Sequence, residues 1–355
     1  MEILDWRSRL ERRLAAPASV ANPSPVVRLA GRFADRVAAR RAARRPAPPA
    51  GVCVVALGNL RVGGTGKTPA TIALARDLAA RGIRGAVLTR GYGAAAGPLV
   101  VRPEDVGAGD EARLVAGRLA DHGWLVVQAR RRAAGLAELL GRRPRPDVVV
   151  LDDGFQTAGV GRHLDVLILD SWAATASGVE ARAGAVLPWG PYRETARGAD
   201  RAHVWLLETA VVPPAAAGRP VVTGFTRSFA LAVAAGADGP SGPQVYGLVC
   251  GLARPEGFEA AARRLLDGEP RVALRCPDHC RYDRSLVGRI VGAGRRRGVT
   301  AWVTTQKDWV KLAPVWPAGV GAQVVQLDVD WQGAPTLPDL VGERLMVLGA
   351  GGPEA

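Results

Sequence analysis

Residues 58–69 read GNLRVGGTGKTP, and this stretch decides the fold. The run VCVVALGN, which ends inside it, predicts a buried strand, and the overlapping pattern TPATIALARDLAARG predicts a helix. A glycine-rich loop between strand and helix is typical of a phosphate-binding loop, because glycines let backbone N–H groups approach an anion. Lys67 can then reach the β- and γ-phosphates, and Thr68 can place its hydroxyl on Mg²⁺. We therefore predict ATP and Mg²⁺ as cofactors.

The phosphate loop is defined here as residues 61–68. Its residues are Arg61, Val62, Gly63, Gly64, Thr65, Gly66, Lys67 and Thr68. The usual pattern has glycine where this chain has Arg61, so the loop is a variant. It resembles the deviant loops of partitioning-type ATPases, which share GGTGKT but carry a lysine just before the paired glycines. Val62 occupies that position here, which counts against a partitioning ATPase.

Outward from the loop, short β-branched runs alternate with helical patterns as far as about Asp170. This alternation indicates right-handed βαβ units and a parallel sheet. A second alternating region follows Pro- and Gly-rich segments. We predict an α/β fold: a P-loop-type parallel-sheet domain over residues 51–215, with a smaller α/β domain over 216–355 that closes the active-site cleft. Residues 1–50 form a separate basic segment.

The charge is concentrated in that basic segment. The chain of 355 residues has 47 Lys+Arg against 33 Asp+Glu, a net charge of +14, and residues 1–50 alone hold eleven arginines and four acids. A nucleic-acid arm, a solvated helical face and an anchor on an anionic membrane are the competing interpretations. Trp6 and Phe33 are the only aromatic residues in this segment, so base stacking is poorly supported.

Several features of the sequence bear on the compartment. No stretch approaches the roughly 20 uncharged apolar residues that span a bilayer, and the N-terminus lacks the order of a secretory signal. Four cysteines fit a reducing compartment. Cys276, His279 and Cys280 lie close together, but a fourth zinc ligand with suitable spacing is missing. We therefore expect the chain to stay in the cytoplasm.

Two acidic pairs and one histidine are candidates for the chemistry. Asp152 and Asp153 end a predicted buried strand, where carboxylates of an open parallel sheet meet the ligand and can hold Mg²⁺. Asp110 and Glu111 lie where a helix should begin, so Asp110 is an N-cap or a functional acid. His279, in PDHC, is a general base oriented by its neighbouring aspartate, or an ordinary loop histidine.

The order of these motifs resembles the tetraacyldisaccharide 4'-kinase family, the lipid A 4'-kinases of Gram-negative bacteria. The segments that carry the resemblance are GNLRVGGTGKTP, LTRGYG, GDE, LDDGFQ, RHLDVLILD, LPWGPYRE, PDHCRY and TQKDWVK. They extend from about Gly58 to Lys311. The resemblance implies ATP-dependent phosphorylation of the 4'-hydroxyl of a tetraacylated glucosamine disaccharide 1-phosphate, by a membrane-associated enzyme with its active site between two α/β domains.

The resemblance also implies roles for individual residues. All residues of the phosphate loop, 61–68, would contact the nucleotide, with Lys67 on the phosphates. Arg193 would lie near the transferring phosphoryl group, where a guanidinium offsets developing charge. Asp110 and His279 would form a cross-domain acid–base pair that activates the sugar hydroxyl. Thr68, Glu111, Asp152 and Asp153 would form the metal site.

Two positions depart from the family. Gln306 stands where the family usually has an acid, and the N-terminal segment is less apolar than usual. We therefore expect shallow, peripheral or monotopic association with the cytoplasmic face of the inner membrane, with no spanning helix. The expected partners are a lipid A disaccharide precursor and an anionic membrane surface. Nucleic acid is not expected, and no obligate protein partner is evident.

Two alternatives to the lipid kinase remain open on the sequence. The first is a partitioning-type ATPase switch that binds membrane or DNA, which the GGTGKT core and the net charge of +14 favour. The second is a related kinase that phosphorylates another sugar or polyol.

Overall fold

The computed structural model describes residues 25–91, 97–105, 107–215, 218, 220–234, 245–252, 254–278 and 280–349. His279, one of the predicted catalytic residues, lies outside these ranges. The described chain divides into two compact units. The larger unit contains residues 25–227 and 329–349, and the smaller unit is Ser228–Asp328.

In chain order, the described helices are α1 (Pro25–Ala43), α2 (Lys67–Ala80), α3 (Asp110–Leu119), α4 (Arg132–Leu140), α5 (Glu256–Leu265), α6 (Arg284–Arg295), α7 (Gln306–Leu312) and α8 (Leu337–Val347). Short 3₁₀ segments are Ala120–His122, Ala196–Arg201 and Ala313–Val315. The strands are β1 (Cys53–Asn59), β2 (Gly85–Thr89), β3 (Leu99–Val100), β4 (Leu125–Gln128), β5 (Val148–Leu151), β6 (Leu164–Leu169), β7 (Trp172–Thr175), β8 (Gly178–Ala181), β9 (Val204–Glu208), β10 (Val221–Val233), β11 (Tyr246–Cys250), β12 (Val272–Arg275), β13 (Ala301–Thr305) and β14 (Gly321–Gln332).

The larger unit is built on a mainly parallel sheet in the order β10-β9-β6-β1-β5-β2-β4-β3. Each pairing in this part of the sheet is parallel except that between β3 and β4. β1 lies between β6 and β5, so the loop that follows it opens at the carboxyl edge of central strands, where open α/β sheets bind ligands. The predicted α/β class with a parallel sheet is confirmed.

The sheet of the larger unit is buried on both faces because its strands are apolar at successive positions. In β1, Cys53, Val55 and Leu57 pack into the core that contains α2 and α3. Val54 and Ala56 point to the opposite face and pack with α4. This period-two alternation in a continuous apolar run fixes the register of the strand that carries the phosphate loop.

In the smaller unit the strands lie in the order β12-β11-β13-β14, and each pairing among them is parallel. Its apolar side chains form two clusters, with the helices α5 and α6 contributing Phe258, Ala262, Val287 and Ile290. β10 begins in the larger unit and ends in the smaller one, and β14 begins in the smaller and ends in the larger. The chain therefore passes twice between the units along strands.

The observed division differs from the predicted one at the C-terminal side. The sequence placed residues 216–355 in one domain, whereas α8 belongs to the larger unit. A capping box starts this helix: the Thr336 hydroxyl and the Asp339 carboxylate each bond to the other's backbone N–H. Leu337, Val341 and Leu345 then enter the core that α2 helps to form. Burial of this apolar stripe is what assigns α8 to the larger unit.

The basic N-terminal segment contributes helix α1 to the larger unit. Gly31 lies where an added Cβ would be 2.9 Å from the Thr195 methyl group. Asp35 accepts hydrogen bonds from the Thr195 backbone N–H and hydroxyl, at 2.9 and 2.7 Å. These contacts hold α1 beside the 3₁₀ segment Ala196–Arg201. No helix within the described residues combines the length and apolar character that a membrane crossing requires.

Candidate active site

The phosphate loop connects β1 to α2 in a conformation that requires glycine at two points. Gly63 has φ +108° and Gly66 has φ +87°, in the region that side-chain-bearing residues rarely adopt. Gly66 is the N-cap of α2 and offers no side-chain cap. The N–H groups at the start of α2 are therefore available to an anion, which the positive end of the helix dipole also favours.

Lys67 is held at the centre of this loop. Its Nζ atom donates to Asn59 Oδ1 at 3.1 Å and to the Gly63 carbonyl at 3.4 Å. It also lies 3.8 Å from Asp153 Oδ1. The Asn59 amide donates in turn to the Thr65 hydroxyl at 2.7 Å, in a buried bond. Asn59, the last residue of β1, therefore holds both Lys67 and Thr65 of the phosphate loop in place.

Asp152 is a buried carboxylate surrounded by hydroxyl groups and other acids. It is 4% exposed and accepts from Thr68 Oγ1 at 3.4 Å and Thr71 Oγ1 at 3.2 Å. Burial, followed by the negative charges of Glu111 and Asp153, raises the pKa of Asp152 to about 6, against the opposing effect of Arg132 and Lys67. The electrostatic contact with Glu111 brings the start of α3 to the same site.

These donors fit Mg²⁺, which prefers hydroxyl and carboxylate oxygens. The crowded acids also create the excess negative charge that a divalent cation offsets. Among the residues that the structure describes, no three carboxylate, imidazole or thiol groups are grouped to hold a metal ion. Magnesium in phosphoryl-transfer sites is bound through one or two carboxylates together with substrate phosphates, and Thr68 with Asp152 matches that pattern.

Asp153 forms the second half of the acidic pair and points to a different partner. It adopts a left-handed backbone with φ +51°. The Arg193 guanidinium donates to both of its carboxylate oxygens, at 3.0 and 3.1 Å. Burial would raise the pKa of Asp153, but the charge of Lys67 and the hydrogen bond and charge of Arg193 outweigh it, so the pKa is lowered. Asp153 is therefore ionised where Asp152 resists ionisation.

Arg193 is oriented by a second set of contacts that sequence reasoning missed. Its guanidinium also donates to Gln156 Oε1 at 3.0 Å, and its backbone N–H donates to the Leu60 carbonyl at 2.7 Å. The Gln156 amide donates to the buried Glu194 at 2.9 Å and to the Asn59 carbonyl at 2.8 Å. Asn59 and Gln156 stand inside the motifs GNLRVGGTGKTP and LDDGFQ, so their positions in those motifs were the available signal.

Arg132 is another residue that the sequence did not reveal. It is buried at the start of α4, and its guanidinium donates to the Leu88 carbonyl at 2.6 Å and the Asp152 carbonyl at 2.5 Å. These carbonyls lie at the ends of β2 and β5, so Arg132 joins two strand ends beneath the acidic pair. It stands among adjacent arginines in an arginine-rich chain, and no local pattern separates it from its neighbours.

The remaining predicted residues are placed as follows. The loop residue Arg61 pairs with Asp170 Oδ2 at 3.4 Å, and the Val62 N–H donates to the Pro191 carbonyl at 2.8 Å. Gly109, rather than Asp110, is the N-cap of α3, so the interpretation of Asp110 as an N-cap is wrong. Gly109 is extended, and its N–H donates to Gln128 Oε1 at 2.7 Å, which makes Asp110 the first helical residue.

His279 lies outside the described residues, so its contacts with Asp110 or Asp278 are untested. Asp278, the neighbouring aspartate proposed to orient it, pairs with Lys307 Nζ at 3.1 Å. The structure thus brings Lys67, Thr68, Asp152, Asp153, Arg193 and Glu111 into one site of the larger unit. Asp110 begins the helix that carries Glu111.

Comparison with known proteins agrees with this geometry. A family model described as tetraacyldisaccharide-1-P 4'-kinase matches residues 25–345. A tetraacyldisaccharide 4'-kinase from Anaeromyxobacter dehalogenans is 37% identical over 311 residues, covering 80% of this chain and 79% of the relative. One from Geobacter metallireducens is 34% identical over 280 residues, covering 74% of this chain and 79% of the relative.

A solved structure has a similar fold. The crystal structure of LpxK from Aquifex aeolicus in complex with ATP aligns with a TM-score of 0.65 and 23% sequence identity. The alignment covers 92% of this chain and 99% of the other. None of these comparisons favours a partitioning-type ATPase.

Proposed function

Because the chain belongs to the tetraacyldisaccharide 4'-kinase family, we propose that it transfers the γ-phosphoryl group of ATP to the 4'-hydroxyl of a tetraacylated glucosamine disaccharide 1-phosphate, a lipid A precursor. One observation of the site carries the proposal. The Lys67 amine lies 3.1 Å from Asn59 and 3.8 Å from Asp153, with Thr68 3.4 Å from Asp152. A lysine suited to phosphate and a hydroxyl–carboxylate pair suited to a metal ion therefore lie in one site, which supports phosphoryl transfer.

The phosphate loop and its lysine would stabilise charge on the nucleotide. The N–H groups at the start of α2 and the Lys67 ammonium face the same region, and preorganised donors lower the barrier because they need no reorganisation during transfer. Thr68 and Asp152, with Glu111 nearby, would hold Mg²⁺, which neutralises charge on phosphate oxygens when bound. Hydrogen bonds to the Asp153 carboxylate and to Gln156 hold the Arg193 guanidinium in one orientation, in which it would contact the transferring phosphoryl group.

The sugar hydroxyl must lose a proton as the phosphoryl group arrives. On the family resemblance we propose that Asp110 and His279 form the acid–base pair. A positioned carboxylate or imidazole typically contributes about 10²- to 10⁴-fold to such a step. Comparing pH–rate profiles of Asp110→Asn and His279→Ala with wild type tests the assignment, since loss of the base removes the acidic limb of the kcat profile. Two unchanged profiles would contradict it.

We further propose that α1 holds the enzyme at the cytoplasmic face of the inner membrane of a Gram-negative cell. Val26, Leu29 and Phe33 are 62%, 67% and 68% exposed and follow one another along a stripe of the helix. Exposed arginines flank the stripe, and an apolar face beside basic residues is typical of helices that lie in the interface of anionic membranes. Leu29→Ser with Phe33→Ser should reduce sedimentation with anionic vesicles but leave turnover of detergent-dispersed substrate unchanged.

The decisive experiment is phosphoryl transfer to the lipid. Purified protein with Mg-ATP should transfer labelled γ-phosphate to the disaccharide 1-phosphate, and Lys67→Ala should abolish the transfer. Lys67→Arg, which keeps the charge but not the point-like ammonium, should retain only part of it. ATP hydrolysis without lipid phosphorylation would contradict the proposal. Phosphorylation of water-soluble glucosamine derivatives at an equal rate would favour a sugar or polyol kinase instead.

A further inference from the structure

A cavity in the larger unit is lined by arginines, and none of the phosphate-loop residues or the acidic pair Asp152 and Asp153 lines it. It has a volume of about 510 Å³ and opens between α1 and the 3₁₀ segment Ala196–Arg201. Its polar wall is formed by Arg32, Asp35, Arg36, Arg197 and Arg201. None of the residues assigned above to ATP, Mg²⁺ or proton transfer lines it, so the phosphoryl-transfer chemistry does not account for its charge.

The positive charge of this arginine cavity is only partly balanced. Asp35 uses both carboxylate oxygens to accept from Thr195. Arg201 pairs with Glu194 at 2.6 Å. Within the part of the chain that the structure describes, Arg32, Arg36 and the Arg197 guanidinium form no ion pair. Three guanidinium groups therefore line the cavity without an ion-pair partner among the described carboxylates.

The spacing of these arginines is unfavourable without an anion. Arg32 and Arg36 are four residues apart on α1, and like charges at this spacing destabilise a helix. Arg197 and Arg201 lie on the opposite wall, in the 3₁₀ segment. A guanidinium presents a fork of donors that matches phosphate oxygens in pairs, and arginine is preferred over lysine for such bidentate contacts. Phosphate is therefore the anion chemistry that best fits the cavity.

The position of the cavity on α1 indicates where that phosphate comes from. At 3.6 residues per turn, the face bearing Arg32 and Arg36 is roughly 75° around the helix from the exposed stripe of Val26, Leu29 and Phe33. A helix that lays this stripe in the membrane interface would bring the edge of the cavity to the level of the head groups. The apolar stripe and the arginine cavity would then both contact the membrane surface.

We propose that the arginine cavity binds a phosphate-ester head group at the membrane surface. The inference rests on the membrane association in the proposed function, but not on phosphoryl transfer. The phosphate can belong to an anionic phospholipid of the bilayer or to the 1-phosphate of the lipid substrate. Both sources present the same group, and separate experiments distinguish them.

The first experiment measures binding of a water-soluble probe, sn-glycerol 3-phosphate, by calorimetric titration. A saturating non-hydrolysable ATP analogue with Mg²⁺ keeps the probe out of the phosphate loop. Wild type should bind the probe saturably, and the double variant Arg32→Gln, Arg36→Gln should bind it at least tenfold more weakly. The matched control, Arg28→Gln with Arg40→Gln, removes the same charge from the same helix outside the cavity and should stay within twofold of wild type.

Equal weakening in both double variants would overturn the proposal, because it would show diffuse attraction to a basic helix. Absence of saturable binding to wild type would also overturn it. Arg197→Gln, on the opposite wall, should weaken binding as the α1 variant does. The titration needs no phosphoryl transfer, so a protein that binds the probe but fails to phosphorylate lipid would refute the proposed function and leave the cavity assignment standing.

The second experiment identifies the source of the phosphate. The double variant Arg32→Gln, Arg36→Gln is called the cavity variant here. If it raises the KM for the lipid substrate in phospholipid-free detergent and leaves kcat unchanged, the site binds the substrate's 1-phosphate. An unchanged KM, with weaker binding to phosphatidylglycerol vesicles than the control variant shows, would assign it to the bilayer. If the cavity variant matches its control in both measurements, the cavity does not bind head groups and the inference fails.

Discussion

At the scale of single residues, Asp152 is the carboxylate whose ionisation the folded protein disfavours most clearly. Burial and neighbouring acids raise its pKa from 3.8 to about 6. The folded state therefore favours the protonated acid, and ionisation costs stability as the pH rises through that interval. We expect Asp152→Asn to increase the free energy of unfolding at pH 8 by up to about 3 kcal/mol. Chemical denaturation without metal or nucleotide measures this gain, which should shrink as the pH falls through that interval and vanish below about pH 4.

With Mg²⁺ and a non-hydrolysable ATP analogue added, wild type should become more stable to unfolding than Asp152→Asn. A cation stabilises the ionised wild-type carboxylate, whereas an asparagine amide offers one neutral oxygen. Wild type should then gain stability with ligand concentration as linkage requires, and the variant should gain much less. An Asp152→Asn protein that is less stable than wild type at pH 8 without ligands would contradict the argument.

Arg193 contributes through the shape of its side chain as well as its charge. Its two bonds to Asp153, at 3.0 and 3.1 Å, use the guanidinium fork, and a third bond goes to Gln156. Arg193→Lys keeps the charge but cannot make this set of contacts. We expect kcat to fall about 100-fold, a loss typical of removing one preorganised charge-stabilising donor. Steady-state kinetics, with the exposed Arg182→Lys as the matched control, should detect the change.

At the scale of elements, the end of β1 is held against the turn that follows β5. A Cβ added at Gly58 would collide with the Phe155 side chain and lie 2.9 Å from its backbone nitrogen. Gly58→Ala should therefore push strand and turn apart and lower the free energy of unfolding by about 1–3 kcal/mol. Gly64 has nothing within 4 Å of such a Cβ, so Gly64→Ala should leave thermal stability near wild type. Equal melting temperatures of the two variants would contradict this packing.

The order of strands and helices could be predicted from the sequence, but some contacts between those elements could not. The strand–loop–helix pattern around Lys67 and the acids ending an apolar strand predicted β1, α2 and the position of Asp152. Arg132 could not be singled out, because its role depends on carbonyls of two other strands rather than on its neighbours in sequence. Asn59 was visible inside a motif, yet only the structure gives its bonds to Lys67 and Thr65.

For the whole molecule, the unit boundary was the feature that sequence placed differently. The amphipathic pattern of α8 indicates a buried face but does not say which core receives it. The structure also leaves the predicted His279 contact outside the described residues. The fold class was thus predictable from local patterns, as was the grouping of Lys67, Thr68, Asp152 and Asp153 in one candidate site, whereas contacts between distant segments were not.

Closure of the larger unit by α8 gives a test at this scale. Val341 is fully buried in the core shared with α2, whereas Val347 on the same helix is 78% exposed. Val341→Asp places an unpaired charge in that core and should lower the free energy of unfolding by about 4 kcal/mol or more. Binding of a fluorescent ATP analogue should be lost with it. Val347→Asp should melt and bind as wild type does, and parallel behaviour of the two variants would argue against this docking of α8.

The two strand crossings between the units have a consequence for synthesis of the chain. Residues 25–227 are made first, but their core lacks Leu337, Val341 and Leu345 until the whole of Ser228–Asp328 has been translated. Domains generally fold as units while the chain is made from its N-terminus. The inserted smaller unit can therefore mature first, while the nascent nucleotide-binding unit exposes an apolar groove along α2. A chaperone that binds nascent chains would find its target there until α8 arrives.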